Sequence, residues 1–325
     1  MSSQGFTSGP SLPTPANGTG ESTLSFWGHA PRPRYWLHIL LLAVTLLTTT
    51  AVGARMVENF RLNRPAFGID DLEPAIRNII HPAALPQGLW FSLALLVILL
   101  AHELGHYMAC RYYHVNASLP YFIPGPPIIG TFGAFIRIRS PIYSKQVLFD
   151  IGIAGPLAGF IVLLPALSIG LAFSKVLPGI NERGDFVFGV PLLQRLLEHA
   201  IFPGVRSADI YLHPLARAAW VGIFSTALNL LPIGQLDGGH ILYSVVGERH
   251  KLLSRLFVVA LVPMGLFSVS WLAWALALLI IGLRHPAIFD TTALDPGRRR
   301  LGWVALAIFL LCFMPTPIGS PAPVR

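Results

Sequence analysis

Long apolar stretches alternate with shorter polar connections along this chain. A transmembrane helix needs about 20 consecutive, mostly apolar residues. Stretches of this kind are predicted at residues 36–54, 88–110, 147–173 and 215–231, and two further apolar stretches follow at 256–283 and 301–314. The pattern predicts an all-α, polytopic (multi-pass) membrane protein with about six transmembrane helices.

The stretch at 256–283 has two interpretations. It contains Pro263 and Gly265, which disfavour one straight helix. It is either a single tilted and kinked helix or a short re-entrant segment followed by a span. The two interpretations place the C-terminus on opposite sides of the membrane, and the sequence does not choose between them.

The composition excludes the ordinary soluble classes. Charged residues make up 12% of the chain and the mean hydropathy is +0.63, whereas a soluble domain carries about 25% charged residues. The net charge is +8, but the basic residues lie mainly between the apolar stretches, as they do beside anionic lipid headgroups. We therefore expect the lipid bilayer as a partner, and no nucleic acid.

The domain organisation is simple. Residues 1–34 are rich in Ser, Thr, Gly and Pro and are predicted to be a disordered tail. Residues 35–317 are predicted to form one membrane domain, and residues 318–325 a short C-terminal tail. The connections within 35–317 are too short for a separate folded domain of normal size.

The strongest chemical signal lies at the end of the second apolar stretch, at His102, Glu103 and His106. On a helix the two histidines lie one turn apart on one face, so both imidazoles can reach one metal ion. Glu103 can accept a proton from a water that the metal activates. HExxH fixes only three residues and also occurs by chance, but burying these groups in an apolar helix is costly, which favours a bound cation.

A third metal ligand must come from elsewhere in the chain. The fourth apolar stretch ends in a segment where Pro232 is expected to end or kink the helix, and Gly238 permits a tight turn. Asp237 in this segment is a candidate ligand. The alternative is that Asp237 and Gly238 form an ordinary surface turn.

Two further features have structural interpretations. Gly155 and Gly159 lie four residues apart in the third apolar stretch, and this spacing favours close helix packing. His240 follows Asp237 by three residues, and we expect it to contact the neighbours of the ligands or to lie at the surface, not to bind the metal.

These motifs together resemble the site-2 protease family. The resemblance covers about residues 88–245 and includes a Gly-rich loop at 130–135. Since these 325 residues leave no room for a PDZ or CBS domain, we expect a compact form. The resemblance rests on two motifs on separate membrane segments, His102-Glu103-x-x-His106 and Asn229-x-x-Pro232-x-x-x-Leu236-Asp237-Gly238.

The resemblance implies a zinc metalloendopeptidase that cleaves single-span membrane proteins within or near their spans. It implies one Zn²⁺ per chain, with His102, His106 and Asp237 as ligands. It also implies that Glu103 acts as general base and acid, and that Asn229 polarises the scissile carbonyl.

The Gly-rich loop alternates apolar and other residues like a β-strand, with Phe132, Ala134 and Ile136 expected on one face. A short membrane-associated hairpin here would offer a strand edge to an unwound substrate. We expect substrate contacts at Gly130, Phe132, Gly133 and Phe135. The alternative is a structural loop that plugs the site.

Rival functions are a non-proteolytic membrane zinc-binding protein and a membrane HExxH protease of another family, whose third ligand is usually a downstream glutamate. The expected location is the bacterial inner membrane, with an organelle membrane as the alternative. The sequence gives neither the substrate nor the oligomeric state.

Overall fold

The structure is a computed structural model that describes residues 34–66, 68–80, 82–126, 128–281, 288, 290 and 292–319. The predicted N-terminal tail lies outside the described residues except for Arg34. Of the predicted C-terminal tail, Ile318 and Gly319 are described, and they pair with Val187 and Phe188 as a two-stranded antiparallel sheet. Residues 320–325 lie outside the described part.

The described residues are mostly helical. The strands are β1 Tyr121–Pro124, β2 Thr131–Phe135, β3 Lys175–Val176, β4 Val187–Phe188, β5 Ile210–Tyr211 and β6 Ile318–Gly319. The helices are α1 Tyr35–Leu62, α2 Leu72–Ile80, α3 Leu85–Tyr112, α4 Lys145–Ala172, α5 Leu192–Ile201, α6 Pro214–Asn229, α7 Asp237–Val246, α8 His250–Met264, α9 Ser270–Ile281 and α10 Pro296–Cys312.

Three of the described helices are long and apolar enough to cross a membrane, namely α1, α3 and α4. Each has 28 residues and is therefore about 42 Å long at 1.5 Å per residue. The predicted count of about six spans is not confirmed. The fourth predicted span is the 16-residue α6, which ends at Asn229 because the chain then turns through a segment containing Pro232.

The apolar stretch at 256–283 is broken where its helix-breaking residues lie. Helix α8 ends at Met264, a turn follows at 265–269, and α9 begins at Ser270. The two helices pack against each other. Neither alternative inferred from the sequence describes this arrangement fully, since the stretch forms two short helices of 15 and 12 residues.

Helix α4 lies at the centre of the bundle and contacts α3, α6, α7 and α10. Its fully buried Leu163 and Leu167 belong to the largest apolar core, together with Ile223 of α6. Helices α3 and α4 can approach closely because Gly105 has no Cβ. A Cβ at this position would collide with the backbone carbonyl of Ala154. This close packing determines how near the residues of α3 lie to α4.

Strands β1 and β2 form an antiparallel hairpin that packs on α1. The Thr48 hydroxyl donates a hydrogen bond of 2.6 Å to the Gly130 carbonyl. The His38 ring stacks on Tyr121 with ring centroids 4.0 Å apart. The hairpin is thus fixed to the first long helix at both ends.

The predicted alternation along this hairpin is wrong at Phe132. Its side chain is 75% exposed, whereas Ala134 and Ile136, expected on the same face, are partly buried. Gly133 has φ +106, a conformation outside the β region, and it interrupts the two-residue repeat.

Candidate metal centre

Helix α3 carries three buried polar residues of the candidate site. His102 and Glu103 are each 6% exposed and His106 is 7% exposed. The one-turn spacing places the two imidazole rings side by side, with centroids 4.9 Å apart. Their Nε2 atoms are 3.2 Å apart, so both histidines present the same ring nitrogen to one point.

A tight turn between α6 and α7 brings Asn229 and Asp237 to the same point. The turn is closed by backbone bonds such as the Leu236 N–H to the Ile233 carbonyl, 3.1 Å. Gly238 lies so close to the Leu230 carbonyl that a Cβ there would collide with it. Asp237 is the first residue of α7, where the positive end of the helix dipole stabilises a carboxylate.

The Asp237 carboxylate joins the two histidines. Its Oδ2 lies 3.1 Å from His102 Nε2 and its Oδ1 lies 3.2 Å from His106 Nε2. One ligand atom from each of these three residues lies within 4.8 Å of the other two. Within the described part of the chain, these three residues form the one group of His, Cys, Asp or Glu side chains that could hold a metal ion.

The donor set fits zinc. His106 Nδ1 lies 2.7 Å from the Ile151 carbonyl, which can only accept, so Nδ1 carries the proton and a neutral ring presents a lone pair at Nε2. In that neutral form the lone pair faces a carboxylate oxygen, and a cation bound between these two acceptors would satisfy both. A tetrahedral zinc with bonds of 2.0–2.1 Å has ligand-to-ligand edges of roughly 3.3 Å, close to the separations seen here.

Two glycines of α4 make room for the histidines of this group, and a third lies close to α7. A Cβ on Gly155 would collide with the His106 ring, and one on Gly159 would lie 3.2 Å from His102 Cβ. A Cβ on Gly152 would lie 3.0 Å from His240 Cβ. The sequence indicated close helix packing at Gly155 and Gly159, but it missed that the imidazole rings are what these glycines contact.

The two remaining polar residues predicted for the site lie beside the three candidate ligands. Asn229 Nδ2 lies 3.2 Å from His102 Nε2. The backbone amide of Ile136, the residue after β2, interacts with the Glu103 carboxylate. Glu103 therefore lies between the histidines and the hairpin, so a group held along β2 would be next to the site.

The four residues predicted to contact substrate do not share one environment. Gly130 is buried, and a Cβ there would lie 2.7 Å from the backbone of Thr49 in α1. Phe132 and Phe135 are 75% and 46% exposed, and Gly133 has open space beside it. Three of the four are therefore accessible to a ligand, and Gly130 packs the hairpin on α1.

Comparison with known proteins identifies a family and several similar proteins. The model of "Peptidase family M50" matches residues 90–272. "Probable zinc metalloprotease EGY1, chloroplastic" from Arabidopsis thaliana is 32% identical over 257 residues, which are 75% of this chain and 46% of that protein. "Probable zinc metalloprotease EGY2, chloroplastic" from the same plant is 32% identical over 272 residues, 80% of this chain and 47% of that protein.

The rice (Oryza sativa subsp. japonica) EGY1 protein is also 32% identical, over 228 residues that are 68% of this chain and 39% of that protein. The chain thus spans about half the length of the curated relatives it matches. The names of these relatives place them in chloroplasts, so they do not support the predicted bacterial inner membrane. The long apolar helices and the matching family indicate an integral membrane protein.

Proposed function

Because the chain belongs to peptidase family M50, we propose that it is an intramembrane zinc metalloendopeptidase that cleaves membrane proteins within or beside their spans. The observation that carries this proposal is the group of two buried histidines, His102 and His106, and the partly buried Asp237, with Glu103 next to it in sequence and space. Family membership disfavours the rival HExxH protease of another family. No described glutamate joins the three candidate ligands.

His102, His106 and Asp237 would hold the zinc ion. When bound, zinc supplies a Lewis acid and makes water nucleophilic near neutral pH. The chain contributes the fixed geometry: the Ile151 carbonyl orients the His106 ring through Nδ1, and the α6–α7 turn brings Asp237 to both imidazoles. A ligand orientation fixed in this way is typical of metal sites with strong affinity.

Glu103 is the proton carrier in this proposal. Its carboxylate accepts the proton that the attacking water loses and returns it to the nitrogen of the leaving amine, so that the carboxylate is regenerated in each turnover. Burial beside the histidines supports this role, because a carboxylate would not otherwise be placed inside an apolar helix. The Ile136 amide restricts its position.

Asn229 supplies the donor for the developing oxyanion. Its Nδ2 lies on the same side of His102 as the candidate metal position, 3.2 Å from Nε2. An amide N–H fixed at this place donates to the carbonyl oxygen of the scissile peptide and stabilises the negative charge that forms there.

The hairpin is proposed to hold the substrate in an extended form. Helical peptide bonds resist cleavage because their carbonyls are shielded by internal hydrogen bonds. In the described part of the chain, β2 pairs with β1 only, and an extended segment can add to an exposed strand edge. Gly133 leaves space there, and Phe132 and Phe135 provide apolar contact for a membrane segment.

Replacing Asp237 tests the ligand assignment. Asp237→Ala removes one of three ligands, so we expect loss of bound zinc and of cleavage, measured by metal analysis of the purified chain and by cleavage of a single-span substrate. Ser244→Ala, on the same helix, is the control and keeps both. Full zinc content in Asp237→Ala would refute the assignment.

A further inference from the structure

A cavity of ≈ 740 Å³ lies between α7, α8 and α10. Its size lies within the range of roughly 300–1,000 Å³ that small-molecule sites occupy. Most of its lining is apolar, contributed for example by Leu242, Phe257 and Leu306. None of the three candidate zinc ligands lines it.

The lining changes from charged to apolar along one direction. Arg299, Trp303 and Leu306 of α10 all line the cavity, and their spacing of four and three residues places them on one helix face. This face passes from a guanidinium through an aromatic ring to an aliphatic chain. The same order is found across a membrane interface, where headgroups, aromatic side chains and acyl chains lie at successive depths.

Two cations lie at the charged end. Lys145 also lines the cavity, and its Nζ is 3.7 Å from the position that a Cβ on Gly247 would take. In the described structure, neither Lys145 Nζ nor the Arg299 guanidinium forms an ion pair, unlike Arg298, which pairs with Asp150 at 2.5 Å. Two basic side chains at the mouth of an apolar cavity complement an anionic amphiphile.

One carboxylate lies close to this end. Asp290 accepts hydrogen bonds from the backbone N–H groups of Lys145, 2.9 Å, and Thr292, 2.8 Å. These bonds and one from the Thr292 hydroxyl, which contributes most, lower the pKa of Asp290 to about 2. Asp290 is therefore ionised, and the charged end retains two cations against one carboxylate.

From this geometry we infer that the cavity binds an anionic phospholipid, with its phosphate at Lys145 and Arg299 and an acyl chain between α7, α8 and α10. The apolar end is lined by Leu230, Pro232 and Gly238, which belong to the segment that carries Asn229 and Asp237. The acyl chain thus contacts this segment.

Lipid binding by the full chain, purified in detergent, tests this inference by native mass spectrometry. Dioleoyl phosphatidylglycerol is titrated against dioleoyl phosphatidylcholine, which has the same acyl chains without net charge. We expect one phosphatidylglycerol per chain, bound about 30-fold more tightly than phosphatidylcholine, since each basic residue contributes about fivefold. Equal binding of the two lipids would overturn the inference.

Two double variants separate the site from general charge. Lys145→Gln with Arg299→Gln should bind phosphatidylglycerol about 30-fold more weakly and lose the preference. Arg111→Gln with Arg300→Gln removes two exposed cations that do not line the cavity and should bind as the wild type does. An equal loss of phosphatidylglycerol binding in both double variants would contradict a specific site. Unchanged binding in the Lys145→Gln, Arg299→Gln variant would also contradict it.

The acyl part is tested separately. Leu306→Trp fills the apolar region while keeping both cations, and it should weaken both lipids. Glycerol phosphate, which has no acyl chain, should not displace phosphatidylglycerol; full displacement would show a free-anion site and overturn the lipid assignment. A melting curve of each variant confirms that it is folded, and none of these readouts depends on proteolysis.

Discussion

The Gly155→Ala variant tests whether α4 positions the metal ligands. The added methyl group would overlap the His106 ring, since the three atoms nearest to it all belong to that imidazole. The ring cannot turn aside without breaking the 2.7 Å bond from Nδ1 to the Ile151 carbonyl. Moving the two helices apart would instead cost the close packing of Gly105 of α3 against the Ala154 backbone.

The expected size of the effect follows from this overlap. Extra methyl groups in packed interiors cost about 1–3 kcal/mol. If this free energy is needed to bring the displaced His106 ring back to the metal, zinc affinity decreases roughly 5- to 150-fold. Gly159→Ala should have a smaller effect, because its Cβ would lie 3.2 Å from His102 Cβ. Gly302→Ala is the matched control, because its Cβ would lie 3.8 Å from the Phe149 ring.

Zinc affinity is measured by competition with a chromophoric chelator, and the melting temperature of each variant is recorded beside it. Alanine is favoured over glycine in a helix by about 1 kcal/mol, so Gly302→Ala should be as stable as the wild type or more so. The order of zinc affinity should be Gly302→Ala, then Gly159→Ala, then Gly155→Ala. Wild-type affinity in Gly155→Ala would refute the reasoning.

Two further variants separate chemistry from substrate position. Asn229→Ala should retain zinc but lower kcat about 10²- to 10³-fold, the effect of removing one oxyanion donor; loss of zinc instead would make Asn229 a structural residue. Gly130→Ala should leave zinc bound and decrease cleavage, because Gly130 has φ +87 and lies against α1, and the hairpin must shift. Gly204→Ala controls for backbone strain alone, because Gly204 has φ +80 but lies in open space. Equal activity of Gly130→Ala and Gly204→Ala would contradict the role of the hairpin.

The candidate site was predictable to a large extent because its residue types are costly in an apolar setting. His102, His106 and Glu103 stand out in a stretch made mostly of apolar side chains, and helical spacing alone places the two imidazoles together. The motif that contains Asp237 completed the resemblance to the site-2 proteases, and the family match confirms that resemblance. The role of the α4 glycines was not predictable, because their spacing alone does not show which neighbour they approach.

The predicted span count is not confirmed, and the reason is physical. Hydropathy measures how apolar a stretch is, but the length of a helix depends on where its backbone is interrupted. Pro232 follows the 16-residue α6, and α8 ends between Pro263 and Gly265, so stretches that are long in sequence become short helices. The exposed Phe132 has a similar cause. The backbone conformation of Gly133 interrupts the alternation of apolar and other residues, and the sequence pattern does not show that conformation.

The most direct test of the central claim compares wild-type protein with Glu103→Gln for zinc content and for cleavage of a single-span substrate. Glutamine has nearly the same shape as glutamate but cannot carry the proton. The account predicts one zinc per chain in both proteins and cleavage by the wild type alone. Cleavage by Glu103→Gln at the wild-type rate, or no zinc in either protein, would contradict it.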